Sequence, residues 1–419
     1  MKRYNSYKDS GVEWIGEVPS HWEVLPLKFK SDIIMGQSPD GKDIVPFGKT
    51  LFMQGNADFN NYYPTPNMYC DSCSKYSRIN DILMSVRAPV GELNFSDKIY
   101  GIGRGLCSIK GVDVYQKYLW YYLQMTKDIY KYFETGSTFT AITISVIKNL
   151  KLIDPSKEEQ HKIAYYLDTK CGEIDKVIST QEKRIALLQE LKQSIITHAV
   201  TKGLNPDVKM KDSGIEWIGE VPEHWEVCKI KRLSVVKRGA SPRPIENPIY
   251  FDDNGQYSWV RIADVTDSKK YLYSTTQKLS KLGSSLSVKM HPGEIFLSIA
   301  GTVGKPIITK IDCCIHDGFV WFPNLKIEPE YLYYIFLSGR PYLGLGKLGT
   351  QLNLNTETVG YISIPIPEEK EIIEIVSYLD KRCASIDASI SKAQKEIELL
   401  QEYKQSLITE VVTGKRKVC

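Results

Sequence analysis

Several stretches of the sequence carry residue types that do chemistry in other proteins, and each lacks part of the required pattern. Asn247-Pro248-Ile249-Tyr250 is close to the Asn-Pro-Pro-Tyr signature of amino-methylating enzymes, but its third position differs. Such an enzyme also needs a glycine-rich loop after a strand to hold its cofactor. Gly344-Leu345-Gly346-Lys347-Leu348-Gly349 fits G-x-G-x-x-G. It follows Pro341 and precedes Thr350-Gln351-Leu352-Asn353, so it lacks the helix that a dinucleotide fold places after the glycines. No G-x-x-x-x-G-K-[ST] loop is present, which excludes that class of ATP motor. Cys70-Asp71-Ser72-Cys73 is a lone C-x-x-C, and the adjacent Cys313-Cys314 is poorly spaced to complete a structural zinc site. His21 and His224 each precede a tryptophan, and no acidic or nucleophilic partner recurs directly adjacent to them. They read as packed or capping residues rather than bases. These residues predict no catalytic group and no metal ligand, so the function has to come from the elements.

Those elements are duplicated. Lys8–Val24 and Lys211–Val227 agree at fifteen of seventeen positions, both reading KDSG-[VI]-EWIGEVP-x-HWEV. Fainter echoes follow in the same order: Gly36-Gln37-Ser38-Pro39 with Gly239-Ala240-Ser241-Pro242, Asp81–Ser85 with Glu294–Ser298, Tyr118–Tyr122 with Tyr331–Ile335, and Leu187–Glu190 with Leu399–Glu402. The offset grows along the chain, which predicts an insertion in the second copy. A repeat of about 200 residues is far longer than a solenoid unit and describes a doubled domain pair. The 419 residues, with 42% hydrophobic and 25% charged, are those of a globular protein and not of a disordered chain. No apolar run is long enough to span a membrane, and the opening MKRYNSYKDSG lacks the apolar core of a signal peptide. The nine cysteines form no regular framework and read as reduced thiols of a cytoplasmic protein. A net charge of +4 permits a nucleic-acid partner without requiring one.

Each copy divides in two. Residues 1–155 and 205–367 are rich in Gly, Pro, Asn, Tyr and short β-branched runs, which predicts mixed domains of short strands with a few helices. Residues 156–204 and 368–419 contain no proline and carry heptad apolar positions. These are Leu167, Ile174, Leu188 and Ile195 in the first segment, and Leu379, Ile386, Leu400 and Leu407 in the second. That spacing predicts two long helices paired as a coiled coil. Each would extend roughly 65 Å at 1.5 Å per residue, more than a compact domain needs, and so suits a spacer. The class expected is α+β: two globular mixed α/β domains separated by two long helices in an antiparallel coiled coil, with pseudo-two-fold duplication.

This order, the repeated EWIGEVP-x-HWEV opening, the paired Gly-x-Ser-Pro loops and the EEQHKIAYYLD helix start echoed by IIEIVSYLD resemble the specificity subunit of type I restriction–modification enzymes. The resemblance covers essentially the whole chain. It implies two target recognition domains that each read one half of a split sequence in double-stranded DNA. It also implies helices that set the gap, two docked methyltransferase subunits, and restriction/translocase subunits that join the complex. Methyl transfer would use S-adenosylmethionine, and cleavage ATP and magnesium, all on partner subunits. The chain itself would be non-catalytic, with no membrane partner. The competing reading from another class is a bivalent coiled-coil scaffold that bridges two proteins without DNA.

On the DNA reading, contacts are expected where the copies differ or carry cations in loops. Lys28, Lys30 and Lys42 in the first copy, and Lys229, Lys231, Arg232, Lys237, Arg238 and Arg243 in the second, can hold phosphates. Ser38 and Ser241 lie in Gly-x-Ser-Pro turns whose backbone N–H groups are expected near a phosphate. Arg87, Arg104 and Arg261 are candidates for bidentate base contact, and Gln54, Asn353 and Asn355 for adenine edges. The near-identical tryptophan strips, Trp14 with Trp22 and Trp217 with Trp225, are expected to pack on the domain core or the helix ends. Two modules that read different sequences would not share their reading surface.

Overall fold

The computed structural model describes residues 3–133, 141–343, 345 and 354–418. The fold is α+β, and the chain packs as two units, Met1–Glu182 with Gln394–Cys419, and Lys183–Ala393. Each unit holds one globular part and a stretch of both long helices, which run over Lys157–Lys202 and Glu369–Val412.

In the first unit a hairpin pairs Tyr7–Asp9 with Glu17–Pro19. A four-stranded antiparallel sheet follows, in the order Ser31–Met35, Leu106–Gly111, Ile82–Ser85, Leu93–Phe95. A second sheet orders Met68–Tyr69, Leu51–Met53 and Gly101–Ile102, the last two parallel. Glu23–Pro26 pairs with Lys151–Asp154, which ends at Pro155 and hands the chain to the first long helix. Ile82, Leu83 and Met84 are fully buried, as a strand covered on both faces requires. The helix Gln116–Met125 lies in the same core, and its Tyr118 hydroxyl donates to the Ile153 carbonyl at 2.8 Å.

The second unit repeats the plan. Its hairpin is Met210–Asp212 with Glu220–Pro222, and its closing pair is Glu226–Lys229 with Ser363–Ile366. Its larger sheet runs Lys237–Arg238, Phe319–Trp321, Ile295–Ser298, Pro306–Thr309, Tyr271–Leu272. The last strand is parallel to its neighbour and falls within the part of the second copy where the repeat offset grows. The other sheet orders Gln277–Leu279, Tyr257–Val260, Cys313–Ile315 and Val288–Met290, with the middle pair parallel. The core helix Pro329–Leu337 aims Tyr331 at two carbonyls, Val200 at 3.1 Å and Pro365 at 3.2 Å.

The tryptophan strip positions the helices. Trp22 and Trp225 are fully buried, whereas Trp14 is 37% exposed. His21 Nε2 lies 3.0 Å from Glu159 Oε1, and Trp22 Nε1 donates to the same oxygen at 3.2 Å. In the second unit His224 and Trp225 meet Glu371 Oε2, both at 3.0 Å. The acidic partner of each histidine therefore comes in both units from the first turn of the helix that follows. Glu159 also accepts from the Ser156 N–H at 3.3 Å, while its own N–H donates to the Ser156 hydroxyl at 3.3 Å, closing the helix end as a capping box. Burial alone pushes the Glu159 carboxyl up, but the hydrogen bonds from His21, Trp22 and Ser156 outweigh it and hold the group below its usual range. The same tryptophans take the far ends of the helices. Gly414, at φ 75°, sits on Pro19 and Trp22, and Gly203, at φ 74°, sits on Trp225. Each follows the last helical turn in the left-handed conformation that glycine adopts without a Cβ clash. Tyr7 Oη donates to the Gly414 carbonyl at 3.0 Å.

Within each unit the helices run antiparallel. In the first, Lys404 reaches both oxygens of Asp175 at 2.6 and 2.8 Å, and Gln181 donates to Glu396 at 3.0 Å. In the second, Lys192 reaches both oxygens of Asp387 at 2.7 Å. Leu167, Ile174 and Leu407 are buried in the first core, with Leu400 packed against it, and Leu379 is buried in the second with Ile195 against it. Ile386 is buried and Leu188 half-buried.

Candidate nucleic-acid interface

In each unit one pair of parallel strands, Leu51–Met53 with Gly101–Ile102 and Tyr257–Val260 with Cys313–Ile315, ends side by side, and the continuations form one exposed loop cluster with the Gly-x-Ser-Pro turn. In the first unit Met53 pairs with Ile102, so Gln54 and Gly103-Arg104 emerge together. Gly36 N–H donates to the Leu106 carbonyl at 2.9 Å and Gln37 N–H to Ile102 at 2.9 Å, locking the turn onto the loop. A Cβ on Gly36 would lie 2.1 Å from the Gly103 carbonyl oxygen, so only glycine fits this approach. Ser38 Oγ then accepts from Gln54 Nε2 at 2.6 Å and from Arg104 N–H at 3.3 Å. Val86 N–H donates to Gly105 at 2.9 Å, which brings the neighbouring Arg87 beside the cluster. Arg87, Arg104 and Gln54 are exposed.

The second unit has the same frame. Val260 pairs with Ile315, so Arg261 and His316-Asp317 emerge together. Gly239 N–H donates to Phe319 at 2.9 Å, Ala240 N–H to Ile315 at 3.1 Å, and Ile299 N–H to Gly318 at 2.8 Å. A Cβ on Gly239 would again meet a carbonyl oxygen at 2.1 Å, here that of His316. Ser241 Oγ donates to Asp317 Oδ1 at 2.8 Å, Arg243 donates to Oδ2 at 3.0 Å, and Arg238 Nε donates to the Asp317 carbonyl. The Ser241 hydrogen bond and the two arginines hold the Asp317 carboxyl below its usual range, so it is ionised at neutral pH. Arg261 is exposed; its N–H donates to Asp264 at 2.8 Å and its guanidinium to the Thr276 hydroxyl.

The structure thus gathers Ser38, Gln54, Arg87 and Arg104 in one place, and Ser241, Arg238, Arg243 and Arg261 in the matching place. Asp317 belongs to that second cluster and was missed, because a search for cations passes over a carboxylate. Lys42 stands exposed in the turn Gly41–Asp43, 3.8 Å from Asp40. Lys231 and Arg232 lie elsewhere, on the short helix Ile230–Leu233 that packs on Thr356–Tyr361; Lys231 Nζ sits 3.8 Å from the Tyr361 ring centroid. Asn353 lies outside the described residues, as does most of the G-x-G-x-x-G segment.

Three expectations change. The first two N–H groups of each Gly-x-Ser-Pro turn are engaged by carbonyls, so they do not face a phosphate. Lys30 is bound to Asp154 at 2.8 Å and Asp113 at 3.3 Å, where it braces the closing strand. Asn355 caps the helix Thr356–Tyr361, its Oδ1 accepting from Glu357 and Thr358 N–H at 2.9 Å. A bidentate adenine contact needs that oxygen. Cys70 and Cys73 are buried against Phe52, and burial, with Cys70 beside it, pushes the Cys73 thiol up to about 12.

Two copies of one fold, each offering a different polar cluster on a common frame, fit a protein that reads two different sequences. Residues 19–189 and 222–398 match the family of type I restriction modification DNA specificity domains. The chain belongs to that family. It is 37% identical over 205 residues to a putative type I restriction enzyme MjaX specificity subunit from Methanocaldococcus jannaschii, an alignment covering 47% of this chain and 46% of that protein. The chain thus spans under half the length of that relative. To the MjaVIII specificity subunit of the same organism it is 25% identical, over 96% of this chain and 94% of the relative. A chain from a structural study of complex assembly and conformational transition of the type I R-M system has the same fold, with a TM-score of 0.72 at 16% identity. That match covers 94% of this chain and 98% of the other. DNA recognition is the role of the specificity domain, and the bridging-scaffold reading is not favoured.

Proposed function

We propose that this chain is the non-catalytic specificity subunit of a cytoplasmic type I restriction–modification complex. Residues 1–155 and 205–367 each read one half of a bipartite duplex target, and the helical segments 156–204 and 368–419 set the spacing between the halves. The observation that carries this reading is the doubled loop cluster, with Ser38, Gln54, Arg87 and Arg104 in one unit and Ser241, Arg238, Arg243 and Arg261 in the other. Lys42 and Lys231 with Arg232 add phosphate contacts, which position the duplex without reading it.

The long helices also dock two methyltransferase subunits. Leu187 with Leu191, and Leu399 with Tyr403, are exposed apolar pairs one helical turn apart, at matched positions of the two helices. Matched patches suit two copies of one partner. S-adenosylmethionine, ATP and magnesium belong to the methyltransferase and restriction/translocase partners. No helix among the described residues is long and apolar enough to cross a membrane.

The test is exchange of residues 205–367 for the matching module of a relative, followed by methylation mapping of host DNA. One half of the recognised sequence should change and the other should persist. A change in both halves would remove the assignment of one module to one half-site. Mass measurement of the purified complex should give two methyltransferase copies per chain.

A further inference from the structure

The two loop clusters share a frame but present opposite charges at one position. Arg104 and Asp317 follow corresponding parallel strands, sit on corresponding turns, and are each bonded to the serine of the facing Gly-x-Ser-Pro turn. From this juxtaposition we infer that Arg104 selects guanine in one half-site and Asp317 selects cytosine in the other, an inference that rests on the DNA-reading proposal above.

The Gly-x-Ser-Pro turn takes the backbone of Arg104 in one unit and the side chain of Asp317 in the other. In the first unit Ser38 takes the Arg104 backbone N–H, and the guanidinium is left exposed, with no ion-pair partner among the described residues. Guanine offers two acceptors, O6 and N7, on its major-groove edge, and a guanidinium is the side chain that donates to both. In the second unit the arrangement is built around the carboxylate. Ser241 donates to one oxygen and Arg243 to the other, while Arg238 holds the backbone carbonyl of the same residue. A lone carboxylate would be repelled by the phosphates, whereas this group carries two arginines and remains net positive. Each carboxylate oxygen has about two acceptor sites, so each keeps one after its contact with Ser241 or Arg243.

An acceptor-only group narrows the choice of base. Guanine presents only acceptors in the major groove and is rejected. Thymine presents the O4 acceptor and a methyl group. Adenine couples its amino donor to the N7 acceptor, which would face the second carboxylate oxygen. Cytosine presents the N4 amino donor alone. His316 fixes the approach: its Nδ1 accepts from Gly318 N–H at 2.8 Å, holding the turn that carries Asp317.

The experiment uses the full chain in complex with its methyltransferase and the target found by methylation mapping. Binding is measured on duplex oligonucleotides carrying every single base-pair replacement. The wild-type complex should discriminate at the Asp317 position by roughly 5- to 150-fold. In D317N, whose amide can donate to thymine O4, that preference should collapse at one C·G pair of the second half-site and nowhere else. In R104Q the loss should fall at one G·C pair of the first half-site. Should D317N fail to fold, S241A removes the brace on Oδ1 without altering the backbone and should weaken discrimination at the same pair. Unchanged selectivity, an equal loss at every position, or a loss at an A·T pair would overturn the inference while leaving the DNA-reading proposal intact. A wild-type complex with no sequence preference would overturn that proposal itself.

Discussion

In the first unit Glu159 accepts from His21 and Trp22; in the second Glu371 accepts from His224 and Trp225. The partners, the distances and the burial of the indoles agree between the copies. The loop clusters do not agree: Ser38 serves Gln54 and Arg104, whereas Ser241 serves Asp317, itself flanked by Arg238 and Arg243. One fold therefore carries two kinds of surface. Where the globular part grips the helix ends, any change would disturb packing in a close-fitting interior, and the copies stay alike. On the loop cluster the backbone bonds hold the turn in place, so side chains can differ without cost to the frame. This separation is what a protein reading two sequences with one scaffold needs.

The largest expected effect tests the shared part. Trp22→Ala and Trp225→Ala each remove a fully buried indole and the hydrogen bond it gives to the helix-end glutamate. Truncating a buried tryptophan costs about 3–5 kcal/mol. Denaturant unfolding of the intact chain, with hydrogen exchange to locate the opened region, should show a loss of that size in the matching unit for each variant. A large loss for one variant and none for the other would break the equivalence of the two grips.

A second measurement sharpens the comparison where the copies differ in detail. A Cβ on Gly414 would meet Pro19 Cδ at 2.4 Å and Trp22 Cζ3 at 2.9 Å, while on Gly203 the nearest atom is Trp225 Cζ2 at 3.1 Å. Both positions have positive φ, so Ala costs about 1–2 kcal/mol at either from the left-handed backbone. At Gly414 the ring of Pro19 and the buried indole must also move, and overpacking adds about 1–3 kcal/mol. Gly414→Ala should therefore lower the unfolding midpoint more than Gly203→Ala. Equal losses would mean that Trp22 and Pro19 yield as readily as Trp225 does.

Much of this organisation was legible in the sequence, because it rests on period and repetition. Heptad spacing marked the helices, and fifteen identities in seventeen marked the strip. The partners of that strip were not legible locally, since Glu159 lies 138 residues from His21 and Glu371 lies 147 from His224. A signal did exist: Pro155 and Glu159 recur as Pro367 and Glu371 at one offset, next to each helix start. The loop clusters were harder to find. Their parallel strands are two to four residues long, too short for periodicity to pair Met53 with Ile102 or Val260 with Ile315. Without that pairing Gln54, Arg104 and Arg261 are scattered candidates, and Asp317 has no reason to be noticed.

The smallest expected effect concerns the helix pairs. Asp175 with Lys404 and Lys192 with Asp387 are the same pair in exchanged order, since Lys404 and Asp387 are the repeat counterparts of Lys192 and Asp175. Their surroundings differ. The Lys192 and Asp387 side chains are 24% and 35% exposed, those of Lys404 and Asp175 28% and 55%. Partly exposed ion pairs contribute about 0.2–1 kcal/mol, and more solvent around one partner weakens the attraction. Double-mutant cycles with alanine at each pair should give a coupling near 1 kcal/mol for Lys192 with Asp387 and a smaller value for Lys404 with Asp175. Both couplings should shrink at about 1 M salt, where the screening length falls to about 3 Å. If the more exposed pair coupled more strongly, or if salt left both unchanged, packing of the lysine stems rather than charge would be what joins the helices.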